Sequence, residues 1–359
     1  MFKLYEKYLI EIFLKKFFLL AIIFFSLTFI LGLLEEISFL KNQNKSFYYP
    51  YFLTLLNTPI TLFEIFPFIF LLSTQFLFYD LFKKEELELL KKNGLKNTSI
   101  IKLLFIVSVI MGLVSVLIYY NFASTLKFHY SNIKNDLSKD NKYLAMVNNS
   151  GLWIKDEINN NILIVKSKFL KKNYLSEVIV NELDQEFNLI RVIQSKKVDI
   201  SKNEWIVYNP TITKNNVTEV YKDNLFIQTN FNEKKIKNIF SNVSTLNLFQ
   251  LFNMKDDFEK LGYSTNELKI YMLKLISMPI FYGLLSLISS IIMLNGSRNI
   301  SFIRNIVVGI LISVIIYYIN FMFSSLGNTG KIPISISILF PIIIISIISI
   351  IGLVTVNEK

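Results

Sequence analysis

Six stretches of membrane-spanning length divide this chain into two apolar blocks around a polar middle. A bilayer core about 30 Å thick requires about 20 mostly apolar residues in each helix. Residues 17–34, 103–120 and 333–356 contain no charged residue at all. We predict spans at residues 12–34, 51–82, 99–122, 270–294, 302–325 and 333–356. The expected fold class is therefore an α-helical membrane protein, with three spans before and three after one inserted domain.

The location of the charge decides what a net charge of +11 means. Residues 123–268 contain 20 Lys and Arg against 17 Asp and Glu, a net charge of only +3. The remaining positive charge lies mostly in short loops between the spans. This distribution is typical of orientation in a bilayer and argues against a nucleic-acid partner.

The short loops also predict which side of the membrane each end faces. One set of ends holds thirteen Lys and Arg, whereas the opposite short loops hold only Lys41, Lys45 and Lys331. Because basic loops stay in the cytoplasm, both termini are expected there. The predicted organisation has spans 1–3 in residues 1–122, an extracytoplasmic domain in 123–268, and spans 4–6 in 269–359. The first of these regions includes a cytoplasmic helix at about 84–94.

The middle domain contains short β-like runs separated by Asn-rich turns, after a polar helical start. The runs begin at Gly151, Ile162, Leu175, Leu189, Trp205 and Leu225. Some runs alternate and others are apolar throughout, which favours an antiparallel sandwich or open jelly roll with one buried face. Trp153 and Trp205 are predicted to be core residues, and helical spacing returns after Leu246.

The chain has no cysteine and a single histidine. These counts exclude a disulfide, a thiolate metal site and a Cys nucleophile within the chain. They also exclude a pair of His ligands from one chain. We therefore expect no metal, no cofactor and no catalytic residue in this chain.

The loop after the second span carries a short amphipathic pattern. Acidic residues at 85, 86 and 88 precede basic residues at 91 and 92, an order that complements a helix dipole. Gly94 is a suitable stop for such a helix. The pattern predicts a short helix at the membrane surface, which is either a docking element for a soluble motor or an ordinary surface helix.

Two segments resemble the lipopolysaccharide export permeases of the LptF/LptG family. Residues 86–94 are similar to the family's coupling helix, in which a Glu-Leu pair starts a short helix that ends in Gly and docks into an ATPase subunit. Residues 151–156, Gly-Leu-Trp-Ile-Lys-Asp, resemble the strand that opens the periplasmic domain of the LptG branch. Pro279, the loop 295–298 and the Phe340-Pro341 pair follow in family order, so the resemblance covers essentially the whole chain.

The resemblance implies a permease subunit of an ABC-type lipopolysaccharide exporter in the Gram-negative inner membrane, with a periplasmic jelly roll. The partners that it implies are an LptF-like second permease, an LptB-like ATPase dimer that holds ATP and Mg²⁺, and LptC-like and LptA-like periplasmic proteins. The permeases extract lipopolysaccharide laterally from the membrane and pass its acyl chains into the jelly rolls.

The resemblance also assigns candidate site residues. The ATPase-coupling helix comprises Glu85, Glu86, Leu87, Leu89, Leu90 and Gly94. The substrate cavity and lateral gate are lined on spans one and five by Leu27, Ile30, Leu31, Leu34, Ile312, Ile316, Tyr317, Asn320 and Phe323. The motif of the periplasmic domain is Gly151, Leu152 and Trp153.

One departure from the family concerns the phosphates of the lipid. LptG-like first spans carry basic residues near the periplasmic end, where this chain has Glu35 and Glu36. Glu35, Lys41 and Lys45 are therefore the candidate headgroup contacts. Four alternatives stay open: the loop lysines bind the phosphates, the partner permease supplies the charge, a divalent cation bridges the acids, or the lipid differs.

Other functions compete with this interpretation. The LptF branch is the alternative identity, because both permeases share one architecture. A membrane-bound lipid-modifying enzyme requires paired acids, or an acid with a His, at the membrane boundary. Only Glu35 and Glu36 come near this requirement, and adjacent helical residues do not face each other. Six spans exceed what a membrane-anchored sensor needs, so a non-enzymatic transport subunit is the expected function.

Overall fold

The structure is a computed structural model. It describes residues 3–41, 46–137, 152–158, 161–171, 173–214, 217–221, 223–233, 236, 243–260, 265–295 and 302–357. The chain forms two compact units, Met1–Lys127 with Asn266–Lys359, and Phe128–Thr265.

Six helical stretches are long and apolar enough to cross a membrane, which confirms the predicted number of spans. The described helices are α1 Leu4–Leu40, α2 Tyr49–Lys83, α3 Glu86–Lys92, α4 Asn97–Val114, α5 Tyr120–Leu137, α6 Leu248–Lys260, α7 Asn266–Asn295, α8 Phe302–Asn328 and α9 Ile334–Asn357. α4 and α5 together form the third span, and α3 is too short to be a span.

A π-helical turn, Ser115–Tyr119, joins α4 to α5. At its end the hydroxyl of Tyr119 donates to the carbonyl oxygen of Pro59 at 3.1 Å. The next residue, Tyr120, is fully buried, and its ring lies 5.3 Å from that of Phe63 and 6.3 Å from that of Tyr271. The third span therefore contacts both α2 and α7 through adjacent tyrosines.

The centre of the membrane unit is formed by α2, α4 and α7. Small residues let these helices approach closely, since a Cβ on Gly112 would lie 2.7 Å from the Cα of Pro279. Hydroxyls link α2 to α7, with the Oγ1 of Thr74 2.8 Å from the Oγ of Ser286. Close approach of small residues and interhelical hydroxyl bonds are the usual means of packing helices in lipid.

The six spans differ in how much of each is covered. In the most apolar stretch of each helix, 72% of the residues are buried in α7 and 61% in α2, against 11% in α1 and 17% in α8. α1 and α8 are thus the peripheral helices of this unit.

The second unit contains one antiparallel sheet of eight described strands. The strands are β1 Leu152–Ile158, β2 Asn161–Lys171, β3 Tyr174–Leu183, β4 Leu189–Asp199, β5 Glu204–Tyr208, β6 Thr211–Lys214, β7 Val217–Val220 and β8 Leu225–Gln228. The order is β1-β2-β3-β4-β5-β8, while β6 pairs with β4 and with β7. Six strands contain the six predicted runs, and β6 and β7 were not predicted.

Side-chain alternation along β1 separates the sheet's two faces. Leu152 and Ile154 are buried in the core, whereas Trp153 between them is 45% exposed. Trp153 lies opposite Lys166 on β2, whose ammonium group is 4.9 Å from the indole ring. The prediction that Trp153 is a core residue is therefore wrong, because a strand turns successive side chains to opposite faces. The prediction for Trp205 is confirmed: its side chain is fully buried and its Nε1 donates to the Phe231 carbonyl oxygen at 2.8 Å.

Candidate functional site

The helix α3 has well-defined ends. It begins after Glu85, which adopts a left-handed conformation with φ 58°. At the other end the amide of Gly94 donates to the Lys91 carbonyl at 2.9 Å, and the amide of Leu95 donates to the Leu90 carbonyl at 3.1 Å. This pair of bonds is a Schellman motif, and the φ of 84° at Gly94 explains why glycine stands there. The predicted helix stop at Gly94 is confirmed.

The apolar side chains of α3 point in different directions. Leu87 is only 2% exposed and belongs to the core of the membrane unit. Leu89 is 56% exposed, and Leu90 is half-buried. Leu87 therefore holds α3 on the membrane unit, and the apolar surface that a partner can contact consists of Leu89 and part of Leu90.

Glu86 links α3 to the first span. The hydroxyl of Tyr8 on α1 donates to its Oε2 at 2.7 Å, and the ammonium group of Lys84 lies 4.0 Å from its Oε1. A second polar contact joins α1 to α2, since the ammonium group of Lys16 is 2.5 Å from a carboxylate oxygen of Asp80. The N-terminal end of α1 is thus attached to both α3 and α2.

Below these polar contacts α1 packs on α2 through aromatic rings. Phe13 and Phe17 are buried, and the ring of Phe17 lies 4.8 Å from that of Phe70 and 5.8 Å from that of Phe66. Aromatic pairs at this separation contribute about 1 kcal/mol beyond the area they bury. The N-terminal half of α1 is therefore a packed helix.

The C-terminal half of α1 presents an open apolar stripe. Leu27, Ile30, Leu31 and Leu34 are each between 52% and 62% exposed. Their spacing of three and four residues places them on one helix face. The structure thus brings the four candidate gate residues of the first span together on one exposed surface.

The five candidate residues on α8 do not share one surface. Ile312 and Ile316 line an apolar crevice of about 280 Å³ between α7, α8 and α9, and Ile316 is 7% exposed. Tyr317 is 62% exposed. The ring of Phe323 lies 5.3 Å from that of Phe340 on α9, and the side chain of Asn320 donates to the carbonyl of its own helix. Ile312, Ile316 and Phe323 therefore contact neighbouring helices, whereas Tyr317 is open.

Gln75 anchors the N-terminal end of α8. This α2 side chain is fully buried, and its Nε2 donates to the carbonyl oxygen of Asn305 at 3.1 Å. The contact depends on Gly309, because a Cβ at that position would overlap the Gln75 amide. Sequence reasoning did not single out Gln75, although a polar amide within an apolar span is a signal of such a contact.

The candidate headgroup residues are placed only in part. Glu35 and Lys41 are exposed, while Lys45 and Gly151 lie outside the described residues. Glu36 is 2% exposed, so the two adjacent carboxylates do not share an exposed surface. Within the described part of the chain no group of three or more His, Asp and Glu residues is arranged to hold a metal ion. The roles assigned to Glu35, Lys41 and Lys45 stay predictions.

Comparison with known families gives one match. The family model described as "Lipopolysaccharide export system permease LptF/LptG" matches residues 7–355, which is nearly the whole chain. No curated protein matches the chain.

Proposed function

The chain belongs to the lipopolysaccharide export system permease family LptF/LptG, and from that membership we propose that it is the LptG-like permease of an ATP-driven exporter. Six apolar helices and the family together support a multi-pass inner-membrane transport protein whose general cargo is lipopolysaccharide. We propose further that it pairs with an LptF-like permease, an LptB-like ATPase dimer, and LptC-like and LptA-like periplasmic proteins.

The contact between Tyr8 and Glu86 is the observation that best supports this proposal. It joins α3, the candidate docking helix, to α1, whose other half exposes the apolar stripe Leu27 to Leu34. A displacement of α3 by a soluble motor is transmitted to α1 through this bond and through the ion pair of Lys16 with Asp80. The sequence contains no Walker A motif, so ATP is hydrolysed in a partner subunit.

The chemistry of the cargo explains the apolar character of the peripheral helices. Each methylene group that leaves the bilayer for water costs about 0.8 kcal/mol. A transporter of acyl chains therefore has to offer apolar surface along the whole route. The exposed stripe on α1 supplies the first such surface, and the interior of the β-sheet unit supplies the next one.

The direction of transport follows from the proposed orientation. α3 lies at the end of α2 that carries Lys83 and Lys84, and basic residues mark the cytoplasmic side. The β-sheet unit is then periplasmic. An ATPase in the cytoplasm and an acceptor for the lipid in the periplasm are the partners that this arrangement requires.

The LptG identity rests on one short motif. The run Gly-Leu-Trp-Ile-Lys-Asp at 151–156 resembles the LptG branch, and the overall architecture is common to both permeases. Co-expression with candidate partners tests the choice, because the chain should co-purify with an LptF-like permease and not with a second LptG-like one.

The proposed coupling is tested with a charge reversal on α3. In the purified complex, Glu86→Lys should lower lipid export and ATPase stimulation by about tenfold or more, since losing a charge contact in an interface costs about 2 kcal/mol or more. Glu88→Lys makes the same charge change two residues away and is the matched control, expected to retain most activity. Export by Glu86→Lys at the wild-type rate would show that Glu86 does not couple the permease to its motor.

A further inference from the structure

The crevice between α7, α8 and α9 is lined by apolar residues. Ten of the twelve described residues around its volume of about 280 Å³ are isoleucine, and the other two are Pro341 and Gly352. An apolar cavity of about 150 Å³ stays dry and binds benzene. The crevice therefore suits an apolar ligand better than water.

α8 and α9 touch at one end of the crevice. Gly327 of α8 lies so close to α9 that an added Cβ would be 2.6 Å from the Cβ of Ser337. One turn away, the rings of Phe323 and Phe340 are 5.3 Å apart. The crevice begins directly after this contact, at Pro341, which cannot donate a helical hydrogen bond within α9. This end of the crevice is therefore closed by the two helices.

At the other end the two helices follow different neighbours. The N-terminal end of α8 is held on α2 by the Gln75 amide, which donates to the Asn305 carbonyl oxygen. α9 instead stays on α7, where a Cβ on Gly352 would lie 2.9 Å from a side-chain carbon of Ile291. The crevice is therefore the space that opens as α8 and α9 separate, with α7 as its floor.

The crevice is long and narrow. It runs along α9 from Pro341 to Gly352, a distance of about 16 Å at a rise of 1.5 Å per residue. A volume of about 280 Å³ over this length gives a mean cross-section of about 17 Å². A helix with its side chains is about 10 Å across, which corresponds to about 80 Å². The crevice therefore admits an unbranched hydrocarbon chain and excludes a helix.

The crevice opens on a surface that faces lipid. Ile315 on α8 and Ile348 on α9 line it from two sides and are 57% and 55% exposed, whereas Ile345 is 4% exposed. Both helices are long and apolar enough to cross a membrane. In a bilayer the molecules that lie against such a surface are lipids, so the crevice is continuous with the acyl-chain region.

The crevice lies on a different side of α8 from its open candidate gate residue. Tyr317 is two positions from both Ile315 and Ile319, which line the crevice. At 100° per residue it therefore points about 160° away from each of them. A lipid chain in the crevice is thus separate from the surface proposed for the exported lipid.

An exposed cation lies on the same face of α8 as the opening. Arg304 precedes Ile315 by eleven residues, so the two side chains leave the helix within about 20° of each other. The first lining residue of α8, Ile312, is about 12 Å from Arg304 along the helix axis. A guanidinium group binds phosphate through two parallel hydrogen bonds. A phosphate at Arg304 therefore places the chain attached to it along the crevice.

We propose that the crevice binds one acyl chain of a membrane phospholipid whose phosphate is bound by Arg304. This phospholipid is a resident lipid of the permease and not its cargo. The inference requires only that the chain lies in a bilayer, and it depends neither on the LptG identity nor on an ATPase. The bound chain fills a space whose cost to stability would otherwise rise with its volume, and it joins α8 to α7 and α9.

Photo-labelling of the full chain tests the site. The chain is reconstituted into vesicles of phosphatidylethanolamine and phosphatidylglycerol, with a diazirine in one acyl chain of the phosphatidylglycerol, and labelled residues are identified by mass spectrometry. We expect the label to concentrate on the lining of the crevice. Ile347, which is 52% exposed on α9 and does not line the crevice, gives the level for ordinary contact with lipid. Labelling of the lining no higher than this level would overturn the proposal.

Two matched variants on α9 test whether the crevice itself holds the chain. Ile344→Phe enlarges a half-buried lining residue and should lower labelling of the α8 lining by about tenfold or more, because the ring occupies the space of the lipid chain. Ile347→Phe makes the same change outside the crevice and should leave that labelling unchanged. Equal labelling of the two variants would count against the site.

The headgroup contact is tested at an exposed position, where a substitution leaves the packing of the helices intact. Arg304→Gln should lower labelling of the crevice by about fivefold, since it removes one basic residue near an anionic lipid. Lys102→Gln removes an exposed basic residue of α4 and is the control. Equal labelling of these two variants would show that Arg304 does not bind the phosphate.

Competition identifies the occupant. Excess lipopolysaccharide should leave labelling of the crevice unchanged, and so should assembly with the partner subunits. Displacement by lipopolysaccharide would make the crevice part of the cargo route, and loss of labelling on assembly would assign it to a partner protein. Either result would contradict a resident phospholipid, whereas a chain that stimulates no ATPase but is labelled as expected counts only against the proposed function.

Discussion

Two pairs of membrane helices in this protein are packed in opposite ways. α2 and α7 are covered along most of their length, while α1 and α8 are attached at particular points and open elsewhere. In lipid an exposed leucine has no hydrophobic penalty, so apolar character alone does not bring a helix into a bundle. The difference teaches that the peripheral helices are held by specific contacts. Aromatic rings and two polar pairs hold α1, and the buried Gln75 amide holds the N-terminal end of α8.

The largest expected loss of stability is for a substitution in the covered helices α2 and α7. Phe70→Ala removes a buried α2 ring that stacks on Tyr282 at 4.6 Å and lies 4.8 Å from the tilted ring of Phe17. We expect a loss of about 3 kcal/mol in the free energy of unfolding, measured by thermal or denaturant unfolding in detergent, because the cavity stays unfilled. Ile30→Ala on the open stripe of α1 should change stability by about 0.5 kcal/mol or less. Equal losses would contradict the division into covered and peripheral helices.

A smaller effect is expected where α8 is attached. Gly309→Ala places a methyl group onto the Gln75 amide and should cost about 2 kcal/mol, as overpacking in a tight interior does. The cause is tested by adding Gln75→Ala, which removes the overlapping group. The double variant should be more stable than the sum of the two single losses predicts, measured in the same unfolding assay. If the two losses in unfolding free energy simply add, the cost of Gly309→Ala does not come from overlap with the Gln75 amide. Such a result would mean that Gln75 does not hold α8. Gly32→Ala, with a 3.1 Å approach to a Thr54 methyl group, is the milder control.

The smallest effect is expected where the N-terminal end of α1 is attached to α3. Tyr8→Phe removes one hydrogen bond to the Glu86 carboxylate, which we expect to cost about 1 kcal/mol and to lower the lipid exported per ATP more than the ATPase rate itself. In a double-mutant cycle with Glu86→Gln, the two changes should be non-additive in export. Tyr5→Phe, whose hydroxyl contacts the adjacent Glu6 at 3.3 Å, is the control. Additive losses would show that Tyr8 acts independently of the coupling acid.

The sequence was sufficient for the elements and insufficient for the contacts between them. Long apolar runs with few charged residues determine where spans lie, so all six were predictable. The strands β6 and β7 were missed because Thr211–Lys214 and Val217–Val220 are short and largely polar. The position of Trp153 was predictable in principle, since Leu152 and Ile154 on either side of it are the apolar residues of an alternating strand.

For the site residues too, the sequence was insufficient for contacts between distant parts of the chain. The resemblance, and not a pattern in the residues, named Leu27, Ile30, Leu31 and Leu34, which are exposed on one face of α1 in the structure. Helical spacing could not decide whether Leu87 points toward the membrane unit or away from it, because a periodic pattern gives a face and no direction. Tyr8 stands 78 residues before Glu86, and Asp156 stands 74 residues before Asn230, whose backbone amide donates to its carboxylate. Nothing local in the sequence brings such pairs together.

The π-helical turn at Ser115–Tyr119 sets the rotational phase of the third span. One extra residue in a turn rotates everything that follows by about 100° relative to a regular α-helix. Deleting a single residue there would turn Tyr119 and Tyr120 away from Pro59 and Phe63, even though the apolar stretch would still cross the bilayer. The number of residues in this span is therefore fixed by the angular position of two tyrosines as well as by membrane thickness.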